Sequence, residues 1–130
     1  MPKIYLSPAA HGHDNPCSFD SACGENIHCN LYMDELVPYL LACGFEVRRN
    51  PKERTGDRLK EAIAESNAWG ADLHYVAHTN AGGGSYSLLM VYDRGTAYGY
   101  AEKLAARRRE IYSGNVKINV DTRWAELQQT

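Results

Sequence analysis

The side chains best suited to chemistry are thinly spread. His11 and His13 stand in an opening loop, Glu25 follows, and His78 ends the run A-D-L-H-Y-V-A-H just before glycines 82–84. Two neutral imidazoles and one carboxylate suit zinc, which takes nitrogen and oxygen donors in a tetrahedral shell and, in catalytic sites, keeps one position for water. Such a metal lowers the pKa of its water to about 7 and polarises carbonyls, which is hydrolase chemistry. The donors are far apart in sequence and no H-E-x-x-H is present, so plainer readings stand beside this one. Glu25 reads equally as a first-turn acid favoured by the helix dipole. His78 reads as a hydrogen-bonded strand-end residue, and His28 as a polar helix position. His74 shares the parity of His78 two pleats earlier, as a satisfied core histidine or a partner behind the site. Cys17 and Cys23 share the loop with His11 and His13 and raise a Cys/His zinc knuckle, but C-x5-C does not match the tight C-x2-4-C of structural zinc sites. Glycines 82–84 read as a turn, or as room for a bulky ligand to approach the backbone beside His78.

These residues need elements to position them. Residues 3–6, K-I-Y-L, form a first strand that Pro8 stops, and residues 8–24 form a long aperiodic loop of the kind that carries function. A helix follows from G-E-N-I-H-C-N, with Ile27, Leu31, Met33, Leu36, Leu40 and Leu41 roughly at helical spacing and Gly44 as its stop. Pro38 inside it predicts a kink or a local break. Then come a strand at 45–50, a helix at 57–70, strands at 72–77 and 86–92 and a helix at 95–112. The tail from Val120 reads as the opening of one more helix. This order predicts an α/β fold: a single domain over 1–130 with a largely parallel twisted sheet and helices on both faces. In such sheets ligands sit beyond the carboxyl ends of the strands. The first loop, the start of the first helix and the end of the third strand therefore deliver His11 or His13, Glu25 and His78 to one place.

Composition sets the outer bounds. At 130 residues, 44% of them hydrophobic, the chain fits one compact core. A formal charge of −2 offers no broad basic field, which argues against nucleic acid, and R-R-R-E-I-Y at 107–112 reads as a solvated helix face. No apolar run approaches the roughly 20 residues that span a bilayer, so no membrane is expected as a partner. M-P-K-I-Y-L-S-P lacks the features of a signal peptide. With a core-sized chain and no export signal, Cys17, Cys23, Cys29 and Cys43 read as reduced thiols.

Four segments, K-I-Y-L-S-P-A-A-H-G-H-D-N, G-E-N-I-H-C-N, E-S-N-A-W-G-A-D-L-H-Y-V-A-H-T-N-A and T-R-W-A-E-L, give the chain a likeness that runs nearly its whole length. It resembles the zinc-dependent N-acetylmuramoyl-L-alanine amidases of type 3, found among bacterial wall-remodelling enzymes, sporulation enzymes and phage endolysins. The third segment is the most specific, from Asn67 to Ala81. The resemblance implies a hydrolase that uses Zn2+ to cleave the amide between N-acetylmuramic acid and L-alanine. Peptidoglycan is then the partner, and the protein is made in the bacterial cytoplasm to act at the cell wall. It places the metal ligands on His11, Glu25 and His78. The family's opening Asp-Pro-Gly-His is replaced by Ser7-Pro8-Ala9-Ala10 before His11, one residue late, which keeps His13 as the alternative. The family's general-base glutamate stands on a strand beyond T-R-W-A-E-L, whereas this sequence ends at Thr130, and Glu126 matches the glutamate of the preceding element. The expectation is thus an amidase domain lacking its C-terminal part, with impaired hydrolysis. The alternative is a non-catalytic wall-binding or interaction module that retains the metal site. A sheet edge left bare by a missing strand would allow a homodimer.

Overall fold

The computed structural model describes residues 1–8, 24–51, 58–78, 86–92, 94–111, 114–121 and 123. The chain divides into two compact units, one up to Ala81 and one from Gly82 onward. The first contains β1 (Lys3–Pro8), α1 (Glu25–Ala42), β2 (Glu46–Arg49), α2 (Leu59–Trp69) and β3 (Leu73–Ala77). Its sheet is parallel, in the order β2-β1-β3, with Ile4 opposite Val47 on one side and Leu73 on the other.

Alternation along β1 builds two distinct faces. Ile4 and Leu6, together with Val47, Leu73, Tyr75 and Ala77 of the flanking strands, pack against Met33, Leu36, Val37 and Leu40 of α1 and against Phe45. On the opposite face Tyr5 is buried, its hydroxyl donates to Glu65 of α2 at 2.7 Å, and Lys3 and Arg48 lie over the ring of Trp69. The helices cover opposite faces because one right-handed crossover moves from β1 out to β2 and the next returns past β1 to β3. Gly44 and Gly70 follow α1 and α2 with φ of +89° and +74°, a conformation that costs glycine nothing.

Several details depart from the sequence reading. β1 reaches Pro8, a position at the end of a strand where no further ladder donor is required. α1 runs through Pro38 without a break, and Pro38 is exposed. Of the apolar residues assigned to α1, Ile27, Leu31 and Leu41 are exposed. Met33, Leu36 and Leu40 of the assigned set do pack against the sheet, Met33 fully buried and the two leucines partly, and Val37 joins them.

The second unit is a βαβ arrangement: β4 (Tyr86–Val91), α3 (Thr96–Ile111) and β5 (Asn115–Val120), with β4 and β5 parallel and in register from Tyr86↔Asn115 to Val91↔Val120. Ala101 and Ala105 of α3 are buried, as are Val91 and Val116. The sequence reading did not anticipate β5, although Val116, Ile118 and Val120 recur with the period of a strand. Nor is the arginine run wholly a solvated face. Arg107 pairs with Glu110 in solvent, but Arg109 donates to the Val116 carbonyl at 3.0 Å and Arg108 to Ser87 Oγ at 3.3 Å. The fold is α/β with parallel strands, hydrogen-bonded among the described residues as a three-stranded and a two-stranded sheet. No helix among the described residues is long and apolar enough to cross a membrane. Of the tail read as a further helix, residues 124–130 lie outside the described residues.

Candidate functional site

The strand order creates a particular place on the first sheet. From the central β1 the chain departs toward β2, then crosses back to β3, so the strand order reverses between β1 and β3, whose carboxyl ends are neighbours. This is the switch point at which open α/β sheets form a ligand crevice. Pro8, the last residue of β1, stands opposite Ala77, the last of β3. His78 comes immediately after Ala77, and Glu25 is the first residue of α1, the helix that follows β1.

Folding joins these two residues across 53 positions of sequence: His78 Nδ1 and Glu25 Oε1 are 3.0 Å apart. Which of the two groups donates follows the tautomer of the imidazole. The two partners differ sharply in exposure. The Glu25 side chain is 1% exposed, while that of His78 is 36% exposed. A first-turn acid serving the helix dipole alone belongs in solvent, where such charges are ordinarily found. Burying Glu25 is costly unless hydrogen bonds satisfy it, and the contact with His78 provides one. The dipole account is therefore insufficient by itself, and the pair has a geometry of its own.

Two donors of a tetrahedral zinc, each at 2.0–2.1 Å, stand about 3.3–3.4 Å apart. The observed 3.0 Å between one imidazole nitrogen and one carboxylate oxygen lies a few tenths of an ångström short of that. Glu25 and His78 thus fit as two of the ligands. His11 and His13, from which a third would come, lie outside the described residues, as do Cys17, Cys23, glycines 82–84 and Glu126. Among the described residues no group of three His, Cys, Asp or Glu side chains is placed to hold a metal.

The remaining candidates fall elsewhere. His74 stacks on Tyr5 with ring centroids 5.4 Å apart and planes 6° from parallel, on the α2 side of the sheet. His28 is an exposed helix residue whose backbone N–H donates to the Gly24 carbonyl. Cys29 is a buried free thiol and Cys43 an exposed one. An open recess of about 600 Å³ beside β2, lined by Tyr5, Arg48, Arg49, Glu65, Ala68 and Trp69, includes neither Glu25 nor His78.

Comparison with models of known families, with curated proteins and with solved structures gave no match. The geometry alone then bears on function, and it contains a group that the sequence reading passed over. Arg49, the last residue of β2, donates through Nη1 to Asp34 Oδ1 at 2.6 Å and through Nη2 to Asn30 Oδ1 at 2.7 Å. Asn30 in turn donates through Nδ2 to the Asn26 carbonyl at 2.9 Å. The spacing of Asn26, Asn30 and Asp34, four residues apart on one helix face, was the available signal. Arg49, the partner that Asn30 and Asp34 share on another element, was not visible in it.

Proposed function

We propose that the protein is a zinc-dependent amide hydrolase acting on peptidoglycan, at the bond between N-acetylmuramic acid and L-alanine. Glu25, His78 and one histidine of the first loop, His11 or in its place His13, hold the metal. The observation that carries this reading is the meeting of Glu25 with His78 at the β1/β3 switch point, a buried carboxylate and a half-exposed imidazole within 3.0 Å. The substrate class comes from the likeness of the four sequence segments to the type 3 amidases.

Each residue contributes in a way that follows from its surroundings. Glu25 is enclosed, so its carboxylate is held in one orientation and shielded from competing water. His78 keeps one side open, so a ligand entering the crevice reaches it. Zinc bound there supplies Lewis acidity toward a carbonyl and makes water acidic enough to serve as a nucleophile near neutral pH. The described residues assign no general base.

Two measurements test this. Zinc titration of the purified chain should give one ion per chain, with affinity lost in both His78→Ala and Glu25→Ala; unchanged affinity in the two variants removes the site assignment. Release of L-alanine-linked peptides from purified peptidoglycan should require zinc and stop on chelation. A chain that binds zinc and adsorbs to peptidoglycan without any turnover is a wall-binding module instead.

A further inference from the structure

We infer that Arg49 is the positioning residue of the Glu25–His78 site, fixing the first two turns of α1 against the carboxyl end of β2 so that Glu25 is held within reach of His78. The inference rests on the reading of that pair as metal ligands and deepens it. Its starting point is the missing side-chain cap at the beginning of α1. The N-cap is Gly24, whose missing side chain can satisfy none of the orphan N–H groups, and no side-chain cap bond is formed there. A helix start of this kind frays unless something outside the helix ties it down.

Arg49 supplies that tie with a planar fork. One arm takes Asp34 Oδ1 at 2.6 Å and the other takes Asn30 Oδ1 at 2.7 Å, with the Asn30 carbonyl at 3.5 Å. Asn30, only 7% exposed, passes the constraint backward by donating to the Asn26 carbonyl at 2.9 Å and to Asn26 Oδ1 at 3.2 Å. Asn26 is the residue after Glu25. The chain of bonds therefore runs from the end of β2, through the second turn of α1, to the carbonyl of the residue that follows Glu25. Arg49 keeps 21% of its side-chain surface, and its Nε is buried without a hydrogen-bond partner among the described residues. An arginine accepts such a loss where its two terminal nitrogens are fully engaged, and a lysine, with one ammonium in place of a fork, cannot reach both carbonyl-type acceptors and the carboxylate in this way.

The test uses the full chain and two readouts. In Arg49→Met, hydrogen exchange at the His28 amide, whose bond to the Gly24 carbonyl closes the first turn, should speed up tenfold or more. The Cys43 amide at the other end of α1, bonded to the Tyr39 carbonyl, should be unchanged. Zinc affinity should fall roughly 10- to 100-fold, the usual effect of losing a group that orients a ligand. Leu40→Ala, which weakens packing at the far end of α1, should lower stability while leaving both readouts at their original values. Wild-type protection at His28 together with wild-type zinc affinity in Arg49→Met overturns the inference. If the unaltered chain binds no zinc, the functional reading fails, and His28 exchange alone still decides whether Arg49 braces the helix. Should Arg49→Met not fold, Asn30→Asp keeps an acceptor for Arg49 but removes the donor to Asn26; His28 exchange must then rise, and unchanged exchange counts as refutation.

Discussion

Removing either partner of the Glu25–His78 pair should cost different amounts, and the structure says which costs more. His78→Ala deprives a carboxyl group that is 1% exposed of its imidazole partner, whereas Glu25→Gln leaves an imidazole that is 36% exposed and beside an amide oxygen still able to accept. A hydrogen bond to a charged group contributes about 1.5–3 kcal/mol, and a buried acceptor short of a partner costs about 1–3 kcal/mol in lost solvation. Because solvent reaches His78, the lower half of the first range applies. The coupling between the two positions in a double-mutant cycle, built with Glu25→Ala so that no acceptor remains, should be about 1.5–2 kcal/mol, a factor of roughly 10–30 in the folding equilibrium. Urea denaturation of the metal-free protein at pH 7, in the presence of a chelator, measures all four corners. His78→Ala should be the more destabilising single change. A coupling below about 0.5 kcal/mol, or the opposite order of the single variants, would show that the pair is not formed without metal and refute the preassembled site.

Other consequences of the fold are as open to measurement. Met33→Ala empties a fully buried position under the sheet and should lower stability by about 2–5 kcal/mol in denaturant titration, with little residual effect on zinc affinity in the folded protein. Gly70→Ala meets no atom within 4 Å of the added Cβ but must adopt a φ of +74°, so its cost should be conformational, about 1–2 kcal/mol by the same titration. Within the arginine run, Arg109→Met removes the bond to the Val116 carbonyl and should destabilise the second unit by about 1 kcal/mol. Arg107→Met, which loses only a solvent-exposed pair, should change stability by less than about 0.5 kcal/mol. Thermal unfolding followed by circular dichroism compares them directly.

What was legible in the sequence was chiefly what neighbours in the chain decide. The strand at the start, the helix opening at Glu25, its end at Gly44, the strand leading to His78 and the helix before Gly70 follow from apolar spacing and from glycine's tolerance of positive φ, both local properties. The helix starting at Glu25 shows where that logic ends. Apolar residues occur all round it, so spacing could not tell that Met33 and Leu40 face the sheet while Leu31 and Leu41 face outward. β5 was missed although Val116, Ile118 and Val120 alternate with polar residues, since so short an alternation gains its meaning only beside its partner, β4.

The sequence by itself determined that an acid would begin a helix and an imidazole would end a strand, because those positions depend on a few adjacent residues. Only the tertiary structure decided that the two would touch. Their contact depends on β3 lying beside β1 rather than beside β2, an outcome of crossover direction and of burying Ile4 and Leu6 on one face and Tyr5 on the other. It also decided that Glu25 would be enclosed and that Arg49 would reach Asn30 and Asp34 across 19 and 15 residues. Such distances are bridged by packing, which no local pattern encodes.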